Sequence, residues 1–134
     1  MDAEKTDRKL AILFCSCSGS CPSMVNIDFW VLTERIRLEL GEKLEFILLH
    51  PRLCEEDGER LMGRLLSDDL TVITSACAEK RQEKLLREGF NKAGVTMDPI
   101  HWIPVTMAQL DTNTVFEKIK AIVEQWSAAK NEGA

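Results

Sequence analysis

Four short apolar runs divide the chain, and the stretches that follow them carry hydrophobic residues at helical spacing. Residues 10–14 read Leu-Ala-Ile-Leu-Phe between polar flanks, a continuous run that predicts a strand buried on both faces. Residues 44–49 repeat that pattern, residues 70–74 are rich in β-preferring side chains, and residues 100–105 give a fourth strand. Pro104 lies inside the fourth. It has no N–H to give to a ladder, so this strand is predicted at an edge of the sheet.

The first helix is predicted from Phe29, Leu32, Ile36 and Leu40, with Asn26 as its cap, Asp28 in its first turn and Gly41 at its end. Acidic residues Glu55, Glu56 and Asp57 suit the start of a second helix, whose stripe is Leu61, Met62, Leu65 and Leu66. A third begins near Glu79, turns Leu85, Leu86 and Phe90 inward and stops near Gly94. Thr114 and Glu117 have capping-box spacing ahead of a last helix that buries Val115, Ile119, Ile122, Val123 and Trp126. Residues 1–8 and 130–134 are polar and expected to be mobile. Strand and helix alternate four times over short connections. The predicted fold is therefore a single α/β domain over residues 1–134, a four-stranded parallel sheet flanked by helices on both faces, of the Rossmann/flavodoxin-like kind.

In such a sheet the C-terminal ends of the strands share one edge, where ligands bind. Cys15, Cys17 and Cys21 follow the first strand, Cys54 the second and Cys77 the third, which exhausts the chain's five cysteines. Cys54 or Cys77 alone reads as an ordinary buried cysteine. Five on one rim do not. The same rim collects helix N-termini, whose dipoles are expected to favour thiolates.

Composition narrows the setting. The length of 134 residues suits one domain, and a composition 45% hydrophobic and 29% charged is that of a soluble globular protein. No apolar stretch reaches the roughly 18 to 20 residues needed to cross a bilayer. The N-terminus has no signal-peptide core, so a cytoplasmic location is expected. With 17 basic and 22 acidic side chains the net charge is -5, which argues against nucleic acid and anionic membranes and favours selective protein partners. An odd number of clustered cysteines in a cytosolic chain points to metal or redox chemistry rather than structural disulfides.

Spacing leaves three chemistries open. A structural four-cysteine zinc site usually uses pairs on tight knuckles, and only Cys17 and Cys21 have a tolerable gap. A redox dithiol usually reads Cys-x-x-Cys, which is absent. An iron-sulfur cluster suits ligands arriving from separate loops, although the compact ferredoxin run is missing. His50, beside Pro51 on the rim, reads as a hydrogen-bonding side chain, with ligation in place of a cysteine as its second role. His101 reads as structural, and Trp30, Trp102 and Trp126 as packing residues. Met24 and Met107 are candidates to shield the site, and Lys80 and Arg81 to bring positive charge to it, against the alternative of a solvated helix start. No carboxylate pair stands out as acid and base, and no histidine adjoins Ser16, Ser18 or Ser20.

The cysteine segments together resemble the N-terminal iron-sulfur domain of the flavin-binding subunit of heterodisulfide reductase. The likeness spans Leu10 to about Met107 and rests on Phe-Cys15-Ser-Cys17-Ser-Gly, on Leu53-Cys54-Glu-Glu-Asp-Gly58-Glu59, and on Val72-Ile-Thr-Ser-Ala-Cys77 with Glu83 and Ala93-Gly94. It implies a 4Fe-4S cluster held by Cys15, Cys17, Cys54 and Cys77, with Cys21 as a spare or replacement ligand. It also implies an electron-transfer component of an oxidoreductase complex in anaerobic metabolism, without catalysis of its own. Its partners would be a flavoprotein or a second iron-sulfur protein, and a homo-oligomer with a cluster shared across a dimer rim stays open. The family's flavin-binding region and ferredoxin-like inserts have no counterpart here, so the chain is expected to be a free-standing version of one domain. After Cys77 the stretch Ala-Glu-Lys80-Arg81-Gln82 lacks the family's Pro and His. A zinc interaction module and a thiol-based redox or sulfur-carrier protein are the competing readings.

Overall fold

The structure, a computed structural model, describes residues 8–19 and 21–133. Residues 1–7 and 134 of the predicted mobile ends, and Ser20 of the cysteine loop, lie outside the described residues. Arg8 is anchored: its guanidinium donates to Thr71 Oγ1 and to the carbonyls of Asp68, Leu70 and Ile100. Lys130 Nζ in turn donates to the Arg8 carbonyl at 2.8 Å.

Strands β1 (Lys9–Cys15), β2 (Ile47–His50), β3 (Leu70–Ala76) and β4 (Trp102–Thr106) form one parallel sheet in the order β2-β1-β3-β4. Between and after them run α1 (Phe29–Leu40), α2 (Glu56–Leu65), α3 (Glu79–Leu85), α4 (Arg87–Ala93) and α5 (Thr112–Gly133). Strand β4 is at the edge that Pro104 demands, with Pro104 opposite Thr74. Alternation along β1 divides its side chains between two cores. Leu10, Ile12 and Phe14 pack with Leu32, Ile36 and Leu40 of α1 and with Val115, Ile119 and Val123 of α5. Ala11, Leu13 and Cys15 face Met62 of α2 and Phe90 of α4. Helices therefore cover both faces, as the unbroken apolar run of β1 requires. Among the described residues no helix is long and apolar enough to cross a membrane.

Several predicted ends move. Asn26 does not cap α1, because the chain is still turning there, with Ile27 N–H bonded to the Met24 carbonyl. Asp28 is the cap, its carboxylate accepting from Val31 N–H at 3.1 Å. Asp111 takes the place of Thr114 at α5, accepting from Thr114 N–H at 2.8 Å. The helix then runs through Ala129 to Gly133. The predicted third helix is broken into α3 and α4 at Leu86. The break buries Leu86 and Phe90 but leaves Leu85 37% exposed, so Leu85 does not join the core. Gly94 ends α4 with φ at +72°, a left-handed turn that favours glycine.

The chain leaves β1 toward the α1 face and leaves β3 toward the face of α3 and α4. Helices departing in opposite directions from neighbouring parallel strands leave a crevice at the strand ends. That crevice holds the cysteines.

Candidate functional site

Cys15, Cys17, Cys21, Cys54 and Cys77 all line one cavity of about 270 Å³. Met24, Arg52, Arg81, Gln82 and Leu85 contribute to the same wall. Cys15, Cys21, Cys54 and Cys77 are thiols outside any disulfide. Register explains the meeting: Cys15 ends β1 opposite His50 of β2, while Cys77 follows Ala76, the last residue of the neighbouring β3.

The first and second cysteine loops are joined by backbone. Ser16 N–H donates to the His50 carbonyl at 3.1 Å and Ser18 N–H to the Pro51 carbonyl at 2.8 Å. The Cys15 thiol contacts the same Pro51 carbonyl at 3.9 Å, and Cys15 Sγ accepts from Leu53 N–H at 3.4 Å. Arg52 Nε donates to Ser18 Oγ at 3.0 Å. These ties fix Cys54 relative to Cys15. Positive φ at Cys17, Ser18 and Gly19 then coils the first loop back on itself, toward Cys21, whose sulfur is 3.0 Å from Ser23 Oγ.

His50 is fully engaged as a hydrogen-bonding rim residue. Its Nδ1 accepts from Arg52 N–H at 2.9 Å, so the ring proton is on Nε2, which is 2.9 Å from Asp57 Oδ2. Both nitrogens have protein partners, and the role of replacement ligand is not open to it in this arrangement.

The third loop is held from beneath. Gln82, buried in α3, donates from Nε2 to the Cys77 carbonyl at 2.6 Å and to the Val105 carbonyl at 3.0 Å. Its Oε1 accepts from Thr74 Oγ1 at 2.6 Å, and Thr74 accepts from Trp102 Nε1 at 2.7 Å. One amide thus ties α3, β3 and β4 to the backbone of Cys77.

Electrostatically the thiols divide. Burial, then the neighbouring Cys15 and Glu55, pushes Cys54 up, and burial likewise pushes Cys77 up against the pull of its own backbone N–H and of Arg81. Cys17 is raised by burial and by Cys21 and Cys15, with Arg52 opposing. Cys21 is lowered, first by its hydrogen bonds to Ser23 and then by Cys17 and Arg81. The helix N-termini therefore do not hold all these thiols down, because desolvation and mutual repulsion outweigh them at three positions. A lowered pKa means a larger thiolate fraction at any pH below it. Limiting iodoacetamide on the metal-free protein, with pH stepped upward from neutral, is expected to modify Cys21 before Cys17, Cys54 or Cys77. Peptide mass spectrometry reads the order, and modification of Cys54 or Cys77 first would contradict this balance of burial and charge.

Other expectations separate here. Arg81 reaches the cavity, whereas Lys80 is exposed and outside its lining. Met24 lines the cavity, but Met107 is fully buried in the core that α5 covers. Trp102 is buried, while Trp30 is 87% exposed and does not pack. His101 is structural, with Nδ1 2.7 Å from Asp98 Oδ1 and Nε2 3.0 Å from Asp68 Oδ1. Arg52 and Gln82 are site residues that the sequence pattern does not single out. Arg52 had a signal, a cation two residues before Cys54. Gln82 had none, since a lone glutamine among charged helix residues looks solvated.

Among the described residues, no group of three His, Cys, Asp or Glu side chains is arranged to hold a single metal ion. No protein-family model matches the chain, and no curated protein matches it.

Proposed function

We propose that the cavity holds one 4Fe-4S cluster through Cys15, Cys17, Cys54 and Cys77, and that the protein is an electron-transfer module of a heterodisulfide-reductase-like redox complex. The observation that carries the reading is the convergence of cysteines from three separate strand ends on one cavity of about 270 Å³. The donor set fits the group, because thiolates are what such clusters take. Tetrahedral zinc would need sulfurs about 3.8 Å apart, by the Zn–S length of about 2.3 Å. Sulfurs spread around a cavity wall suit a larger core better. When bound, the cluster accepts and returns single electrons.

The chain's own groups have defined parts in this scheme. Leu53 N–H, already directed at Cys15 Sγ, stabilises negative charge on that sulfur and so favours the reduced state. Arg52 and Arg81 on the wall offset the net charge of roughly -2 on an oxidised cluster with four thiolates. Cys21 is left as the thiol the cluster does not need. We place the protein in the cytoplasm, where thiols stay reduced, and its partner is a flavoprotein or a second iron-sulfur protein. The module moves electrons and makes or breaks no substrate bond.

Purification without oxygen, followed by assay of iron, acid-labile sulfide and zinc, tests the reading. About four irons and four sulfides per chain are expected. Cys77→Ala should lose them and Cys21→Ala should keep them. One zinc without sulfide would replace the cluster with a structural metal. Full iron in Cys77→Ala, or its complete loss in Cys21→Ala, would overturn the ligand assignment.

A further inference from the structure

Helix α1 is apolar on two sides, and the fold covers only one of them. Leu32, Ile36 and Leu40 are buried in the core that β1 and α5 share. Beside them Arg35 and Glu39 face α5. Arg35 donates to Asn113 Oδ1 at 3.1 Å with its guanidinium 3.8 Å from the centre of the Phe116 ring, and Glu39 pairs with Lys120 at 3.7 Å. The remaining side carries Trp30, Val31, Glu34, Arg37 and Leu38, which at 3.6 residues per turn share an arc of about 120°. Trp30 is 87% exposed, Leu38 67% and Val31 47%. Large apolar side chains gathered on one helix face mark an interaction surface. Between them Arg37 donates from Nε and Nη2 to the two carboxylate oxygens of Glu34, at 3.0 and 2.8 Å.

We propose that this arc binds the same arc of a second copy of the chain, with the two α1 helices antiparallel about a twofold axis at the level of Glu34. Trp30 and Leu38 are each four residues from Glu34, about 6 Å along the helix on either side at a rise of about 1.5 Å per residue. A twofold rotation therefore sets Trp30 of each copy on Leu38 of the other, as an isologous interface requires. Val31 falls level with the apolar stem of the other copy's Arg37.

Charge agrees with shape. Each Glu34 carboxylate has its own Arg37 about 4.5 Å toward one end of the helix and the other copy's Arg37 about 4.5 Å toward the opposite end. Two carboxylates and two guanidiniums alternate in sign and sum to zero, so the pairing buries no uncompensated charge. The interface is small: two tryptophans remove roughly 300–500 Å² from water, against about 1,600 Å² for a standard complex. The dimer is therefore weak and concentration-dependent. None of the five residues lines the cysteine cavity, and the pairing stands without the cluster.

The test is sedimentation equilibrium of the full chain from micromolar to millimolar concentration, under reducing conditions so that no intermolecular disulfide contributes. The parent is expected to rise from the mass of one chain to that of two. Trp30→Ser and Leu38→Ser should stay at one, with the circular dichroism of the parent because both side chains are exposed. Glu34→Arg brings four cations to the axis and Arg37→Glu four carboxylates, so each alone should stay monomeric. An equimolar mixture of those two variants should dimerise again, which requires α1 to meet α1. A parent that is monomeric at every concentration would overturn the pairing and leave the arc to a different protein. A dimer that survives Trp30→Ser and Leu38→Ser, or a charge-reversed mixture that stays monomeric while the parent dimerises, would overturn it by placing the contact elsewhere. Iron and sulfide are counted in separate samples, so absence of a cluster and absence of the dimer are distinct results.

Discussion

Gly58→Ala is expected to destabilise the protein by about 2–3 kcal/mol, at the upper end of what overpacking costs, and to disturb the cysteine site although Gly58 bears no chemistry. Gly58 is in the first turn of α2 and is buried there. A Cβ at this position would lie 2.4 Å from the Leu53 carbonyl oxygen, 2.5 Å from its Cα and 2.6 Å from its carbonyl carbon. These are backbone atoms and cannot swing aside as a side-chain tip would. Leu53 is itself fully buried, so the loop that carries Cys54 has to lift from the helix. Alanine in place of a helical glycine would ordinarily gain about 1 kcal/mol. The clash exceeds that gain. Lifting the loop also withdraws the Leu53 N–H from Cys15 Sγ and moves Cys54 away from the other thiols. Urea unfolding of the metal-free protein should show the loss of stability, and iron per chain should fall with it. Gly63→Ala is the control, because the atoms nearest its Cβ belong to Lys92, whose side-chain Cβ is closest at 3.2 Å, and its stability should stay within about 1 kcal/mol of the parent. Parent-like stability and iron content in Gly58→Ala would mean that the loop is not pressed against α2.

Gly58 marks the boundary of what the residue pattern conveys. It is visible in the chain as part of the second cysteine segment, but nothing local distinguishes a glycine pressed against backbone from one in open space, as Gly41 is. Strand β1 was legible because burial on both faces removes polar alternation, and Pro104 marked the edge because it lacks a donor. The rim followed from topology: once strands one, two and three are neighbours, their C-terminal cysteines share an edge. Helix ends were less legible. Asn26 and Thr114 are acceptable caps in isolation, yet Asp28 and Asp111 are used because tertiary packing fixes where the chain straightens. Thiol electrostatics were misjudged from sequence because helix dipoles can be counted there, whereas desolvation depends on a cavity wall assembled from three loops.

The least legible residue has the largest consequence. Gln82→Leu is expected to cost about 3–5 kcal/mol, from several buried polar groups losing their partners at about 1–3 kcal/mol each. Leucine fills nearly the same volume, so the loss is not one of packing. It leaves the Cys77 and Val105 carbonyls without the amide donor and the Thr74 hydroxyl without its acceptor. The Cys77 carbonyl is the one closest to the site, and releasing it frees the backbone that aims the Cys77 sulfur. Gln82→Glu separates donor loss from shape loss. A carboxylate keeps the acceptor for Thr74 but turns negative charge toward two carbonyl oxygens in a buried place, so the acid is favoured in its protonated form, which can still donate one hydrogen bond. Its folded pKa is then raised above the unfolded value of about 4.3, and the stability it contributes is present below that pH and lost as pH rises through the folded pKa. The deficit of Gln82→Glu against the parent should therefore widen from about pH 4 toward neutral, while the deficit of Gln82→Leu stays level over the same range. Denaturant midpoints for the three proteins at stepped pH decide it. A level deficit in Gln82→Glu would mean that water reaches position 82 and that the amide does not position Cys77.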